Sequence, residues 1–118
     1  MRTRYDDIPA YRTLDGSEIR ELMHPAVHGN AQQSLAEALI APGAATLRHC
    51  HRRSEELYHV TAGEGWMTLG EARFSIAPGD TVLIPPGTPH CVEAATSGPL
   101  HLLCCCSPAY RHEDTELL

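Results

Sequence analysis

The stretch GAATLRHCHRRSEELYHVTAG, residues 43–63, decides the fold. His49 and His51 stand two apart, and on a β-strand side chains alternate with period two, so both imidazoles share one face. Arg52, Arg53 and Ser54 make a plausible turn. The run from Glu55 to Val60 then returns antiparallel, with Glu56, Tyr58 and Val60 on one face and Glu55, Leu57 and His59 on the other. A carboxylate on the inner face opposite two imidazoles is a metal site in outline. A second stretch, GDTVLIPPGTPHCVEA over residues 79–94, brings a rigid turn at Pro85 to Pro89 directly into His90, a third imidazole. Three neutral nitrogens and one carboxylate suit first-row divalent ions: Fe, Mn, Ni, Co, Cu and Zn. Four protein ligands leave one or two positions open on a five- or six-coordinate ion, as catalysis requires.

Working outward, turn residues punctuate the chain at short intervals: Asp15-Gly16, Pro42-Gly43, Gly63 to Gly65, Gly70, Pro78-Gly79, Pro85 to Pro89 and Ser97 to Pro99. Between them lie apolar or alternating runs at 34–41, 45–51, 56–62, 66–69, 72–76, 81–84, 90–94 and 100–106. Many short strands at close spacing predict an all-β sandwich or barrel. Residues 17–23 fit either a short helix capped by Asp15 or a first strand, and the strand is the preferred reading. Residues 25–33 read as a loop and 108–118 as an irregular acidic tail.

Both stretches resemble the motifs of the cupin superfamily. The first motif runs Gly, five residues, His-x-His, three or four residues, Glu, six residues, Gly; here Gly43, His49, His51, Glu56 and Gly63 fill it. The second runs Gly, five residues, Pro-x-Gly, two residues, His, three residues, Asn; here Gly79, Pro85, Gly87 and His90 fill it, and Ala94 replaces the Asn. That Asn is not a metal ligand. The fifteen residues between Gly63 and Gly79 match the spacer of compact bacterial monocupins. The resemblance implies a double-stranded β-helix, or jelly-roll barrel, over about residues 34–107. An N-terminal strand or arm at 1–33 and the tail at 108–118 complete a single domain spanning 1–118. It carries the ligand roles onto His49, His51, Glu56 and His90. The six residues to Gly63 select Glu56 over Glu55.

Tyr58, one inward position past Glu56, is the candidate catalytic residue, as proton donor or as a group that orients a bound oxygen. Cys50 and Cys91 follow ligands in sequence and should face away from the metal. Adjacent residues of a strand point to opposite faces, so of Cys104, Cys105 and Cys106 only the first and last are neighbours. Three consecutive cysteines lack zinc-ligand spacing and read as core and interface packing. His24, His28, His101 and His112 have no spacing logic with the motif, although His28 and His112 could sit on a segment folded over the barrel mouth.

The bulk composition agrees with one domain: 118 residues, 42% hydrophobic and 20% charged, with a single Phe and a single Trp, so the core is aliphatic. A net charge of −6 argues against nucleic acid or anionic lipid as partner. No run approaches the ~18 apolar residues of a spanning helix, and no signal-peptide pattern opens the chain. Five cysteines, an odd number, fit a reducing cytoplasm better than a disulfide framework. The functional expectation is a metalloenzyme with one divalent transition metal per chain, acting on a small oxygen-bearing organic molecule. With Fe this is a dioxygenase; with Mn, Ni or Zn as Lewis acid it is an isomerase or lyase. The alternative is a non-catalytic metal or small-ligand binding module. By resemblance the chain is expected to be a homodimer.

Overall fold

The computed structural model describes residues 1–118. Eleven strands form two antiparallel sheets: β1 Tyr11–Arg12, β2 Glu18–Met23, β3 Ser34–Ile40, β4 His49–His51, β5 Glu55–Ala62, β6 Gly65–Leu69, β7 Ala72–Ile76, β8 Thr81–Ile84, β9 His90–Ala94, β10 Leu100–Ser107 and β11 Thr115–Leu117. One sheet has the order β1-β2-β3-β10-β5-β8 and the other β11-β4-β9-β6-β7. The all-β barrel expected from the turn spacing is therefore present. No helix is long and apolar enough to cross a membrane.

Alternation along each strand sets the two faces. In β5 Glu56, Tyr58 and Val60 are buried, whereas Glu55 and Leu57 are exposed and His59 is half-buried, as the period-two reading requires. The inward side chains grade from apolar to polar along the barrel. On β10 they run Leu100, Leu102, Cys104, Cys106; on the neighbouring β5, Leu102 faces Val60, Cys104 faces Tyr58 and Cys106 faces Glu56. Strand β3, antiparallel on the other side of β10, keeps the same gradient from Ile40, opposite Leu100, to Ser34, opposite Cys106. On the second sheet β9 passes from Ala94 through Val92 to His90. One end of the barrel is thus a dry core around Val60, Met67, Val92, Leu100 and Leu102, all essentially without solvent exposure. The other end collects the histidines.

The motif glycines mark turns and close approaches. Gly63 has φ 82°, and a Cβ there would strike the Pro99 carbonyl oxygen, so the hairpin into β6 admits only glycine. Gly87, φ 77°, donates its N–H to the His51 carbonyl at 2.6 Å, which ties the Pro-rich turn before His90 to β4.

Residues 17–23 resolve in favour of the strand: β2 pairs with β3, and Asp15 caps the turn before it by accepting from Ser17 rather than starting a helix. Three expectations are corrected. The loop at 25–33 contains a four-residue helix, α1 Pro25–His28, which ends at Gly29 in the left-handed region. The strand expected over 45–51 begins only at His49, with Ala45 making an isolated bridge to Glu93. The tail at 108–118 is not irregular, because β11 pairs with β4, Thr115 opposite His51 and Leu117 opposite His49.

Candidate metal centre

His49, His51 and His90 are buried, and their ligating atoms lie within 4.8 Å of one another. Strand β4 supplies the first two from one face. Strand β9 supplies the third, with His90 in register with His49. The His49 and His90 rings sit 4.2 Å apart between centroids. Glu56, from β5 of the opposite sheet, places Oε1 at 3.1 Å from His51 Nε2 and 3.5 Å from His90 Nε2. The structure thus brings together all four residues that the motif spacing selects, and sets Glu55 on the outside.

Every Nδ1 is occupied. His49 Nδ1–H donates to the Leu47 carbonyl at 2.8 Å and His90 Nδ1–H to the Thr88 carbonyl at 2.9 Å. A carbonyl oxygen only accepts, so both protons are on Nδ1. His51 Nδ1 faces Thr115 Oγ1 at 3.0 Å, and that hydroxyl spends its own proton on the Arg111 carbonyl. The Thr115 oxygen therefore accepts from His51. All three rings are held with Nδ1 protonated and the Nε2 lone pair turned inward, the arrangement by which outer partners orient metal-ligating histidines.

Those lone pairs face one another and a carboxylate. His51 Nε2 and Glu56 Oε1 are two acceptors in hydrogen-bonding range with no proton assigned between them. His90 Nε2 is fully buried and has no hydrogen-bond partner. Buried acceptors are left unpaired at a cost of about 1–3 kcal/mol each. A single divalent cation removes every one of these conflicts. Bonds of about 2.0–2.2 Å from zinc-like ions to nitrogen and oxygen put neighbouring ligand atoms about 3 Å apart, close to the 3.1 and 3.5 Å from Glu56 Oε1 to His51 and His90. The donor set therefore fits a first-row divalent ion.

Burial and then the neighbouring His90 push His49 below its ordinary value of 6.5, against the opposing pull of the Leu47 carbonyl and Asp15. Burial raises the Glu56 carboxyl, whereas hydrogen-bond donors to its oxygens, the Cys106 thiol among them, lower it. Its other oxygen, Oε2, accepts from the Cys106 thiol at 3.1 Å. Burial, then Glu56, raises both the Cys104 and Cys106 thiols, so neither is a thiolate.

His49, His51, Glu56, Cys104 and Cys106 line a cavity of about 40 Å³ inside the barrel. That is room for about two or three waters' worth of small ligand atoms. Tyr58 lies on its wall, buried, with its ring 5.8 Å from that of His90. Burial and then Glu56 raise its phenol well above 10, so Tyr58 keeps its proton. The N-terminal hairpin adds Tyr11, Thr13, Asp15, Ser17, Ile19 and Glu21 to the lining. At the neck Tyr11 donates to Glu21 at 3.0 Å, and Tyr110 stands against Thr13 and His112. Tyr11, Glu21 and Tyr110 also border a broad outer groove of about 1010 Å³. His24 and His112 line that groove; His28 instead accepts from the His24 N–H.

Sequence reasoning missed Asp15, Glu21, Cys106 and Thr115 as parts of the site. Only Cys106 carried a signal, because it shares the inward phase of Cys104. Cys50 is buried but outside the core cluster, paired with Glu116 of β11, and so faces away from the histidines as expected.

A β-barrel of this topology with three convergent imidazoles defines a class, and the sequence agrees: residues 36–106 match the Cupin domain, so the chain belongs to the cupin family. Over 118 residues, all of this chain and 94% of the relative, it is 50% identical to Uncharacterized protein MJ1618 of Methanocaldococcus jannaschii. Among solved structures it is similar to the Streptomyces nucleoside dehydratase Pac13, with TM-score 0.82 and 14% identity over 100% of this chain and 90% of that one. It is also similar to the polyketide cyclase RemF of Streptomyces resistomycificus, with TM-score 0.80 and 20% identity over 97% of this chain and 88% of that one. At such identities the likeness is one of fold.

Proposed function

We propose that this protein is a metalloenzyme that holds one divalent transition metal with His49, His51, Glu56 and His90 and moves protons on a small oxygen-bearing organic molecule. The observation that carries this reading is the set of three convergent Nε2 lone pairs, each fixed by an Nδ1–H donor bond, two of which face the buried Glu56 carboxylate. The ion would supply Lewis-acid polarisation of a substrate oxygen. The chain supplies the rest. Tyr58, kept protonated by burial and by Glu56, donates a hydrogen bond to a bound oxygen. Glu21, with one carboxylate oxygen on Tyr11 and the other buried without a partner, accepts from a substrate hydroxyl at the neck. Tyr11, Glu21 and Tyr110 separate the small inner chamber from the outer groove and keep bulk water off the reacting atoms.

We favour isomerase or lyase chemistry over the dioxygenase version, because the cavity that the metal ligands line also carries a proton donor in Tyr58 and a proton acceptor in Glu21. Relatives of the same fold that are named as a dehydratase and a cyclase are compatible with it. The test is a panel of small hydroxy acids, keto acids and diols, incubated in heavy water with protein loaded in turn with Mn, Fe, Co, Ni, Cu or Zn. Magnetic resonance would report deuterium entering carbons next to a carbonyl or hydroxyl, while an oxygen electrode runs in parallel. Exchange that is lost in His51→Ala supports the reading. Oxygen uptake without exchange would transfer it to the dioxygenase version, and neither signal with any metal would leave a binding module.

A further inference from the structure

We infer that Asp15 is a fifth protein ligand of this centre, a second carboxylate supplied from outside the stretch that carries the cupin motifs; the inference rests on the metal reading above. Asp15 sits in the turn between β1 and β2, and its side chain is 12% exposed. Its Oδ1 is anchored twice, by the Ser17 N–H at 2.9 Å and the Ser17 hydroxyl at 2.6 Å. Its main-chain carbonyl accepts from the Leu47 N–H at 2.8 Å, which fastens the turn to the approach of β4. The remaining oxygen, Oδ2, lies 3.7 Å from His49 Nε2.

Part of the argument that makes Glu56 a ligand extends to Asp15, at the longer distance of 3.7 Å and toward one imidazole rather than two. The Leu47 carbonyl holds the proton of His49 on Nδ1, so Nε2 presents a lone pair to Asp15 Oδ2. Two acceptors face each other again, and the free oxygen has no donor from the protein. Each of the three imidazole lone pairs thus meets a carboxylate oxygen: His51 and His90 meet Glu56, and His49 meets Asp15. His90 Nε2, which shares the cluster with His49 and His51, is fully buried without any hydrogen bond.

Charge points the same way. Three neutral imidazoles and one carboxylate leave a divalent ion with one uncompensated positive charge in a buried cavity, and buried charge is costly unless paired. Asp15 makes the centre neutral. Five protein ligands leave one position on a six-coordinate ion. The substrate then binds through a single oxygen, and there is no second position beside it for O₂. This narrows the substrate class to monodentate carbonyl or hydroxyl compounds.

The experiment uses the full chain, stripped with a chelator and titrated with Co(II), comparing wild type, Asp15→Asn and, as a surface control of the same charge change, Glu71→Gln. The amide introduced by Asp15→Asn keeps an oxygen for the Ser17 donors, and far-ultraviolet circular dichroism checks that the variant is folded. Co(II) affinity is read by chelator competition, and the intensity of the visible ligand-field bands reports coordination number. Asp15→Asn should weaken Co(II) by about tenfold or more and intensify the bands as one ligand is lost, whereas Glu71→Gln changes neither. If wild type binds Co(II) and Asp15→Asn leaves the bands as they were, whatever the affinity, Asp15 is not a ligand, while the four-residue site stands. If wild type binds no Co(II), the metal reading itself fails and this inference with it.

Discussion

The two ends of the barrel are built by the same strands and obey opposite rules. At one end the inward positions of β5, β9 and β10 are Val60, Val92, Leu100 and Leu102, which need nothing but contact. At the other end the same strands present Glu56, His90 and Cys106, where acceptors face acceptors and His90 Nε2 is left unpaired. Such groups are expensive to bury without partners. The pleat explains how both can coexist: two residues along a strand change the chemistry without changing the face. The dry end stabilises the strands, and the strands then hold the polar end in an arrangement it would not choose alone. Function is drawn from the end that contributes least to folding.

This division can be broken at either end. The largest effect is expected from His90→Ala, which should reduce metal affinity by more than about 100-fold, beyond what loss of an outer partner costs, as read by chelator competition. Its metal-free form should lose less stability than Leu102→Ala does, because the cavity and the freed Thr88 carbonyl are partly offset by removal of a buried unpaired acceptor. Leu102→Ala should do the reverse. It should cost about 2–5 kcal/mol of stability in urea denaturation, through lost burial and the cavity left behind, yet bind metal with unchanged stoichiometry. A Leu102→Ala protein that folds as stably as wild type would remove the distinction between the ends.

Smaller effects sharpen the comparison. Thr115→Val removes the acceptor that orients His51 from 64 residues away. Metal affinity should fall by about 10- to 100-fold while the metal-free melting temperature moves little. Acidification provides the last test. Burial, and then His90, hold His49 below its ordinary 6.5 in the folded chain. Between those two values the unfolded chain binds more protons than the folded one, so metal-free stability is present above pH 6.5 and declines as pH falls toward the folded-state value. The melting temperature of metal-free protein against pH should show that decline, and His49→Gln should flatten it.

Much of the barrel was legible in the sequence because its signals are local. The run read at 34–41 is β3 at Ser34–Ile40, and the run at 100–106 is β10 at Leu100–Ser107. Strand phase placed Glu56 and Tyr58 inside, and the spacing to Gly63 separated Glu56 from Glu55. What was not legible depends on contacts distant in sequence. Asp15 reaches His49 only because the N-terminal hairpin folds across the mouth, and that turn looks the same in sequence whether it lines a cavity or faces water. Strand β11 has three residues, too few for an alternating pattern to emerge, so Thr115 could not be tied to His51. The Cys106 thiol was read as packing because it has no ligand spacing; its contact with Glu56 follows from the register of β10 on β5.

The central claim is tested most directly by elemental analysis of the protein purified without a metal-affinity step, beside His51→Ala prepared in the same way. The wild-type chain should carry about one divalent transition metal, as a single site of three imidazoles and a carboxylate requires, and the variant should have lost most of it. Wild-type protein that stays metal-free even after exposure to each candidate ion, or a His51→Ala variant with the same metal content, would contradict the account.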